Sequence, residues 1–146
     1  MLARSRDALE WGRKATWRRT QNAIGLWTSY QRAKRSGEPQ IGGMPFSISF
    51  EPTTACNLRC PECPSGLRSS TRPTGNLKQD LFRRVIDELS PDLWALTFYF
   101  QGEPFINPGF LEMVEYADRK GLYTATSTNA HAISWNAATT TGPSGG

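Results

Sequence analysis

The stretch Phe46-Ser-Ile-Ser-Phe50, followed shortly by Cys56-Asn-Leu-Arg-Cys60-Pro-Glu-Cys63, decides which fold the chain is expected to adopt. Apolar residues alternate with serine in the first segment, which is typical of a β-strand with one apolar face. The second segment holds all three cysteines of the chain. An odd number of clustered cysteines does not fit the disulfide framework of a secreted domain, so it indicates metal binding in a reducing compartment.

The spacing of the three thiols favours one kind of metal centre. The thiolates of cysteines spaced four and three residues apart can bind one metal cluster from a single loop. A 4Fe–4S cluster is commonly held by four cysteines, so three would leave one iron open or bound to another ligand. Structural zinc needs four ligands, and the single histidine, His131, lies far along the chain. The sequence therefore favours a 4Fe–4S cluster on Cys56, Cys60 and Cys63. A zinc site shared between chains and three inert cysteines are the alternatives.

The residues after the cysteine loop predict two more strands, each preceded by a helix. Apolar residues recur at helical spacing over 77–90, and the nearly continuous apolar run 93–100 is typical of a strand covered on both faces. Asn107 is expected to cap a second helix that Gly121 stops, and 122–126 predicts a third strand. This alternation indicates parallel crossover units.

Two motifs together resemble the radical SAM superfamily. The first is Cys56-x3-Cys60-x2-Cys63 in a loop after the first strand. In that family the three cysteines hold a 4Fe–4S cluster, and S-adenosyl-L-methionine binds its fourth iron. The second is Gly102-Glu103-Pro104 after the second predicted strand, which is similar to the family's Gly-Glu-Pro element. By this resemblance, Gly102, Glu103 and Pro104 would seat the amino group of S-adenosyl-L-methionine.

The resemblance extends over residues 44–131. Ser127-Thr-Asn129, which ends the third predicted strand, is similar to a polar element that family members place near the cofactor, so Ser127 and Asn129 are expected cofactor contacts. The stretches 51–56 and 63–68 are most similar to the SPASM-type subgroup, whose members often modify peptides or mature other enzymes. The implied fold class is α/β: a partial (βα) barrel with about three strands, preceded by a basic N-terminal helix.

The implied activity is that of a radical SAM enzyme. In this family a reduced cluster cleaves S-adenosyl-L-methionine to a 5′-deoxyadenosyl radical, which abstracts hydrogen from a substrate. The resemblance implies an electron donor such as a flavodoxin or ferredoxin and a peptide or protein substrate. It names no catalytic side chain, because the cofactors perform the difficult step. No nucleic-acid partner is expected.

One departure from the family pattern concerns the adenine. Family members usually carry an aromatic residue immediately before the third cysteine, where this chain has Glu62. Adenine packing is therefore expected from elsewhere, with Tyr99 or Phe98 as the candidates.

Residues 1–43 differ from the core in charge. Residues 1–36 hold nine Lys or Arg against Asp7 and Glu10, a net charge of +7, although the whole chain carries only +4. Residues 5–35 predict one helix, and 36–43 has the composition of a linker. This basic segment is expected to be a solvated leader packed loosely on the domain. The alternative is an interfacial helix that brings residues 1–36 into contact with anionic lipid.

Length and composition set the outer limits. The chain has 146 residues, 38% of them hydrophobic, and a mean hydropathy of −0.51. A complete eight-stranded barrel needs on the order of 250 residues, so the chain is too short to form one.

No stretch approaches the roughly 18 apolar residues of a membrane span, so a cytoplasmic location is expected. Residues 132–146 contain no charge and predict a low-complexity, disordered tail. The chain is expected to be the N-terminal part of an enzyme. A truncated, non-catalytic iron–sulfur-binding or membrane-associated remnant is the alternative.

Overall fold

The computed structural model of the chain describes residues 2–69 and 71–131, so the predicted tail over 132–146 lies outside the described residues. In chain order the elements are α1 (Leu2–Arg13), α2 (Trp17–Ser36), β1 (Ser47–Phe50), α3 (Pro64–Leu67), α4 (Gln79–Leu89), β2 (Ala95–Phe98), a 3-10 turn (Pro104–Ile106), α5 (Phe110–Arg119) and β3 (Tyr123–Thr126). Three strands and the helices between them lie where the sequence predicts them.

The strands form one parallel sheet in the order β1-β2-β3. Phe50 pairs with Phe98, and Phe98 pairs with Thr126, so the three strands end level with one another. This register confirms the predicted parallel crossovers. It also places the loops that follow the three strands at one edge of the sheet, where ligands gather in parallel α/β folds.

One face of the sheet carries the hydrophobic core. Phe98 is fully buried and packs against Phe82 of α4 and Phe110 of α5, with ring centroids 5.7 and 5.3 Å apart. Further buried side chains come from the same two helices, from β2 and from the residues just before β2 and β3: Ile86, Leu93, Leu96, Met113, Ala117 and Leu122. The apolar faces of α4 and α5 therefore fix both helices on this side of the sheet.

Strand β2 is shorter and less enclosed than the apolar run predicts. It spans Ala95–Phe98, and the following Tyr99 and Phe100 are exposed. Thr97 is only half-buried and pairs with the exposed Ser49 on one side. The predicted cover on both faces is therefore found at Ala95, which is buried on the second face, but not at Thr97.

Two helices replace the single helix predicted over 5–35. Helix α1 ends at Arg13, and α2 begins at Trp17 after Thr16, which is extended (φ −123°, ψ 159°). The Thr16 hydroxyl oxygen accepts a hydrogen bond from the Arg19 N–H at 3.2 Å and so caps α2. The helical pattern continues across the break, and only the capping geometry separates the two helices.

The first part of the leader, α1 and the start of α2, is docked tightly on the amino end of the sheet rather than loosely. The Trp11 ring stacks on Phe46 at 5.8 Å and lies 5.1 Å from the Tyr123 ring. Trp94 donates its indole N–H to the Trp11 carbonyl oxygen at 3.0 Å. The rings come from α1 and from the residues at or just before the start of each strand, so they close this end of the sheet.

Arg19 is the polar centre of this contact. It is buried, and its five N–H donors reach the carbonyl oxygens of Lys14, Ser90, Lys120 and Gly121 at 2.6–3.3 Å. These carbonyls lie at or just beyond the C-terminal ends of α1, α4 and α5. Such ends carry unpaired carbonyls and partial negative charge, so one guanidinium satisfies three helix ends at once.

The approach to α5 also differs in detail from the prediction. Gly109, not Asn107, is the N-cap of α5, and a 3-10 turn precedes it. Asn107 is buried and donates to the Pro52 carbonyl oxygen at 2.8 Å, while its own side-chain oxygen accepts from the Gly109 N–H at 2.9 Å. Asn107 thereby connects the loop after β2 to the loop after β1.

Among the residues that the structure describes, every helix is too short or too polar to span a bilayer.

Candidate cofactor site

The loop after β1 is fixed before the first cysteine. Thr53 is buried, and its hydroxyl donates to the Gly75 carbonyl oxygen at 3.1 Å and accepts from the Ala55 N–H at 3.1 Å. The Thr54 N–H donates to the same Gly75 carbonyl at 3.1 Å. These bonds anchor the cysteine loop to the segment that leads into α4, so Cys56 starts from a defined position.

The three cysteines are free thiols at the carboxyl end of the sheet. Cys56 and Cys63 are half-buried, and Cys60 is exposed. Cys63 is the N-cap residue of α3, and its N–H donates to the Cys60 carbonyl oxygen at 3.3 Å. A β-carbon on Gly66 would lie 2.6 Å from that same carbonyl, so a glycine is required for the loop to close this tightly.

The backbone around Cys63 favours its thiolate. Hydrogen bonds from the backbone N–H groups of Gly66 and Ser65 lower the pKa of the Cys63 thiol. Thiolate is the form that binds metals. Within the described ranges, no group of three His, Cys, Asp or Glu side chains converges closely enough for a single metal ion. Three thiols from one loop could bind three iron corners of a cubane and leave the fourth iron for another ligand, so the chemistry of these donors fits a cluster.

The Gly-Glu-Pro loop after β2 lies directly against the cysteine loop. The Glu103 N–H donates to the Ala55 carbonyl oxygen at 2.7 Å, one residue before Cys56. Gly102 has a φ of +76°, and an added β-carbon would overlap the Thr53 carbonyl oxygen and lie 2.8 Å from that of Ala55. Glycine is therefore the residue that permits this approach, both for its conformation and for its lack of a side chain.

Glu103 connects the loops after β2 and β3. The residue is only 2% exposed, and its carboxylate accepts hydrogen bonds from the Thr128 hydroxyl at 2.6 Å, the Asn129 N–H at 2.8 Å and the Phe105 N–H at 3.3 Å. Pro104 is fully buried in the first position of the 3-10 turn. The backbone at Pro104 thus shapes the loop, while its ring contacts the protein interior.

The third loop closes the arrangement. The Asn129 side-chain N–H donates at 2.7 Å to the side-chain oxygen of Asn57, the residue after Cys56. Ser127 is exposed and makes no hydrogen bond with the residues that the structure describes. Of the two predicted contacts in this element, Asn129 therefore joins the site directly and Ser127 does not.

Several residues of the site were not singled out from the sequence. Thr53, Asn57 and Thr128 each make a hydrogen bond that connects two loops. Asn57 and Thr128 lie inside motifs recognised in the sequence, so proximity to those motifs was the available signal.

A cavity of about 330 Å³ lies beside the cysteine loop. Its lining residues are Thr54, Ala55, Cys56, Pro64, Ser65, Arg68, Arg72 and Thr74.

The aromatic residues expected to pack adenine have different fates. Phe98 is fully buried among the core rings, so the expectation that it contacts adenine was wrong. Tyr99, one residue later, lies beyond the end of β2 and has 48% of its surface exposed. Phe98 is thus held in the core, whereas Tyr99, past the last paired residue of β2, is accessible.

Comparison with known proteins relates the chain to several curated proteins. It is 34% identical over 93 residues to a PqqA peptide cyclase of Rhodopseudomonas palustris, and this match covers 63% of the chain and 24% of the relative. It is 36% identical over 98 residues to the mycofactocin maturase MftC of Mycobacterium tuberculosis, covering 65% of the chain and 24% of that protein. The chain thus spans about a quarter of the length of these relatives. No family model matches it.

A solved structure shares the fold. The crystal structure of BtrN in complex with AdoMet and 2-DOIA superposes with a TM-score of 0.60 at 22% identity, over 66% of this chain and 41% of that one. This likeness confirms the predicted partial α/β barrel. The curated relatives, at 31–36% identity, confirm the family resemblance inferred from the cysteine spacing.

Proposed function

We propose, on the confirmed resemblance of this chain to the radical SAM superfamily, that its described core binds a 4Fe–4S cluster and S-adenosyl-L-methionine as part of a radical SAM enzyme. Cys56, Cys60 and Cys63 would hold the cluster. Gly102, Glu103 and Pro104 would form the seat for the cofactor's amino group, with Asn129 beside it and Ser127 at its exposed edge. When bound, this cofactor pair supplies a 5′-deoxyadenosyl radical for hydrogen abstraction.

One observation supports the proposal most strongly. The hydrogen bond from the Glu103 N–H to the Ala55 carbonyl oxygen, 2.7 Å long, brings the Gly-Glu-Pro loop against the start of the cysteine loop. Residues about fifty positions apart in sequence, which the resemblance assigns to the cluster and to its cofactor, thus lie side by side. Helix packing alone does not require this contact, because the core lies on the face of the sheet rather than at its edge.

The residues of the site contribute binding and orientation. The Glu103 carboxylate is buried and held by donors from β3's loop, so it is fixed in place before any ligand binds. A fixed carboxylate can accept hydrogen bonds from an ammonium group without further ordering, and such charge-assisted bonds are strong. The exposed Tyr99 ring is our candidate for packing against adenine.

The finer parts of the function follow from the relatives' names and from the family. The relatives include a peptide cyclase, a mycofactocin maturase and a subtilosin biosynthesis protein. We therefore propose a peptide or protein substrate, the SPASM-type subgroup, a flavodoxin or ferredoxin as electron donor, and a cytoplasmic location. We also propose that residues 44–131 form the core, with 1–43 as leader and linker.

Anaerobic reconstitution with iron and sulfide, followed by electron paramagnetic resonance of the reduced chain, tests the proposal. We expect a 4Fe–4S signal that changes when S-adenosyl-L-methionine is added. Cys60→Ala should abolish the signal, whereas Arg59→Ala, an exposed neighbour in the same loop, should retain it. Glu103→Gln should retain the cluster but lose the response to the cofactor.

The outcomes separate the candidate functions. A cluster signal that ignores the cofactor in the unaltered chain would favour a non-catalytic iron–sulfur protein. Failure of the unaltered chain to assemble any cluster would overturn the proposed site. Formation of 5′-deoxyadenosine above a Cys60→Ala control would establish that the chain alone performs the cleavage.

A further inference from the structure

Helix α2 presents an unusually apolar surface to solvent. Trp17, Ile24, Trp27 and Tyr30 have 76%, 57%, 63% and 62% of their surface exposed. Their spacings of seven, three and three residues place them on one side of the helix, which we call the α2 outer face. Single exposed apolar residues are ordinary, whereas their clustering on one surface marks interaction sites, so the placement of these four on one side of the helix is what matters.

The charge of α2 is one-sided. Its twenty residues contain five Lys or Arg and no Asp or Glu. Arg18 forms an ion pair with Asp92, and Arg19 is buried against the helix ends. Arg32, Lys34 and Arg35 form no ion pair with any residue in the described ranges, and they follow the aromatic residues along the last turns. The α2 outer face is thus bordered by free positive charge.

The second half of α2 stands apart from the core. The Asn22 side-chain N–H donates hydrogen bonds to the carbonyl oxygens of Met44 and Asp92, at 2.9 and 3.3 Å. Its side-chain oxygen accepts from the Met44 N–H at 2.9 Å. Beyond Asn22, within 2–69 and 71–131, no hydrogen bond or ion pair joins α2 to the sheet or to α4 and α5. The close approaches there are to the linker: the Gly25 carbonyl oxygen and the Ser29 side chain leave no room for a β-carbon on Gly42.

The position of α2 limits what can bind its outer face. Arg19 contacts the carbonyls of Ser90 and Gly121, which precede β2 and β3. The helix therefore lies at the amino end of the sheet, whereas the cysteines lie at the carboxyl end. A protein that delivers electrons to the cysteine loop would need to approach the opposite side of the domain. The α2 outer face is therefore not positioned for electron delivery to that loop.

We propose that the α2 outer face binds the surface of an anionic lipid bilayer. Tryptophan and tyrosine rings suit the boundary between headgroups and acyl chains, and neighbouring basic side chains are attracted to anionic headgroups. A helix with exposed aromatic residues, free cations and no acidic residue matches that layer in both polarity and charge. The inference concerns a surface distant from the cofactor site, so it stands or falls independently of the proposed function.

Co-sedimentation of the full chain with vesicles tests the proposal. We expect binding to vesicles of equal parts phosphatidylglycerol and phosphatidylcholine, and little binding to phosphatidylcholine alone. The triple variant Arg32→Gln/Lys34→Gln/Arg35→Gln should bind on the order of a hundredfold more weakly, since each basic residue near an anionic surface contributes about fivefold. Trp17→Ser/Trp27→Ser should lose about tenfold or more, because the rings supply the apolar contact.

Matched controls lie on helix α4. Leu81→Ser removes an exposed apolar residue, and Arg84→Gln removes an exposed cation, so each should leave vesicle binding unchanged. Circular dichroism of every variant confirms folding independently of lipid. Equal binding to both vesicle types, or equal loss in the α4 variants, would overturn the proposal. So would a concentration-dependent dimer without vesicle binding that Trp17→Ser/Trp27→Ser disperses, because a second copy would then be the occupant.

Discussion

At the amino ends of its strands the sheet is closed by packed rings and a buried guanidinium, whereas at the carboxyl ends it carries loops joined through polar side chains. Trp11, Phe46 and Tyr123 meet at the first end around Arg19. At the other end the Glu103 carboxylate accepts hydrogen bonds from its own loop and from the loop after β3. The two ends are separated by strands of only four residues.

Stability and chemistry reside at opposite ends of the sheet. The amino end brings together side chains that exclude water and satisfy helix ends, which stabilises the fold. The carboxyl end brings together free thiols and a buried carboxylate, and burying a carboxylate costs stability unless donors pair with it. A parallel sheet permits this division because all loops that follow strands emerge on one side.

Removing the buried guanidinium should break the amino end. Arg19→Ala leaves the carbonyls of three helix ends unpaired in a buried environment, so we expect the free energy of unfolding to fall by about 3 kcal/mol. Urea denaturation measures this change. Arg32→Ala, an exposed arginine on the same helix, should be nearly neutral. Equal effects of the two substitutions would contradict a structural role for the Arg19 network.

Substitution at the glycine between the two loops should break the carboxyl end. Gly102→Ala introduces a side chain at φ +76° against the Thr53 carbonyl, and should cost about 2 kcal/mol or more together with the cofactor response of the reconstituted cluster. Gly75→Ala is the matched control, because nothing lies within 4 Å of its added β-carbon. A normal cofactor response in Gly102→Ala would show that the close approach is dispensable.

The side-chain bridge between the first and third loops should have a smaller effect. A double-mutant cycle with Asn57→Ala and Asn129→Ala should give a coupling energy of about 1 kcal/mol for their 2.7 Å hydrogen bond. We expect both single variants to assemble the cluster but to need several-fold more S-adenosyl-L-methionine for the spectral change. Additive effects of the two substitutions would mean that the bridge contributes nothing.

Acidification should weaken the contacts at the amino end of the sheet slightly before the core unfolds. The hydrogen bonds and charge of Arg18 lower the pKa of Asp92 below its ordinary value. A depressed carboxyl pKa contributes stability above the unfolded-state value near 4, and that contribution is lost as the pH falls through the folded-state value. The effect is the smallest of the four, because Arg18 is largely exposed to water.

Tryptophan fluorescence during an acid titration measures this step, since Trp11 and Trp94 lie beside each other there. Asp92→Asn should remove the early change. A second carboxyl, Asp87, also has a lowered pKa, through Lys120 and Tyr116, so its contribution should persist in that variant. An unchanged titration in Asp92→Asn would assign the step to another group.

Prediction from sequence succeeded where a short pattern carries the information. The period-two alternation around Ile48 and the helical spacing over 77–90 identified β1 and α4, with boundaries correct to within about two residues. The cysteine spacing and Gly102-Glu103-Pro104 identified the two loops that meet. Prediction failed at Thr16 and Asn107, because a cap is defined by φ, ψ and hydrogen bonds that the residue type only favours.

Sequence alone determined the donor set of this protein: three thiols in one loop, a glycine–glutamate pair after the second strand, and a basic leader. These depend on residue type and spacing, which local chemistry controls. Tertiary structure decided which of these groups meet. It placed the Glu103 N–H on Ala55, Asn129 on Asn57 and Arg19 at three helix ends, because such contacts join residues far apart in the chain. Strand register and helix packing bring those residues together, and no local pattern encodes the resulting distances.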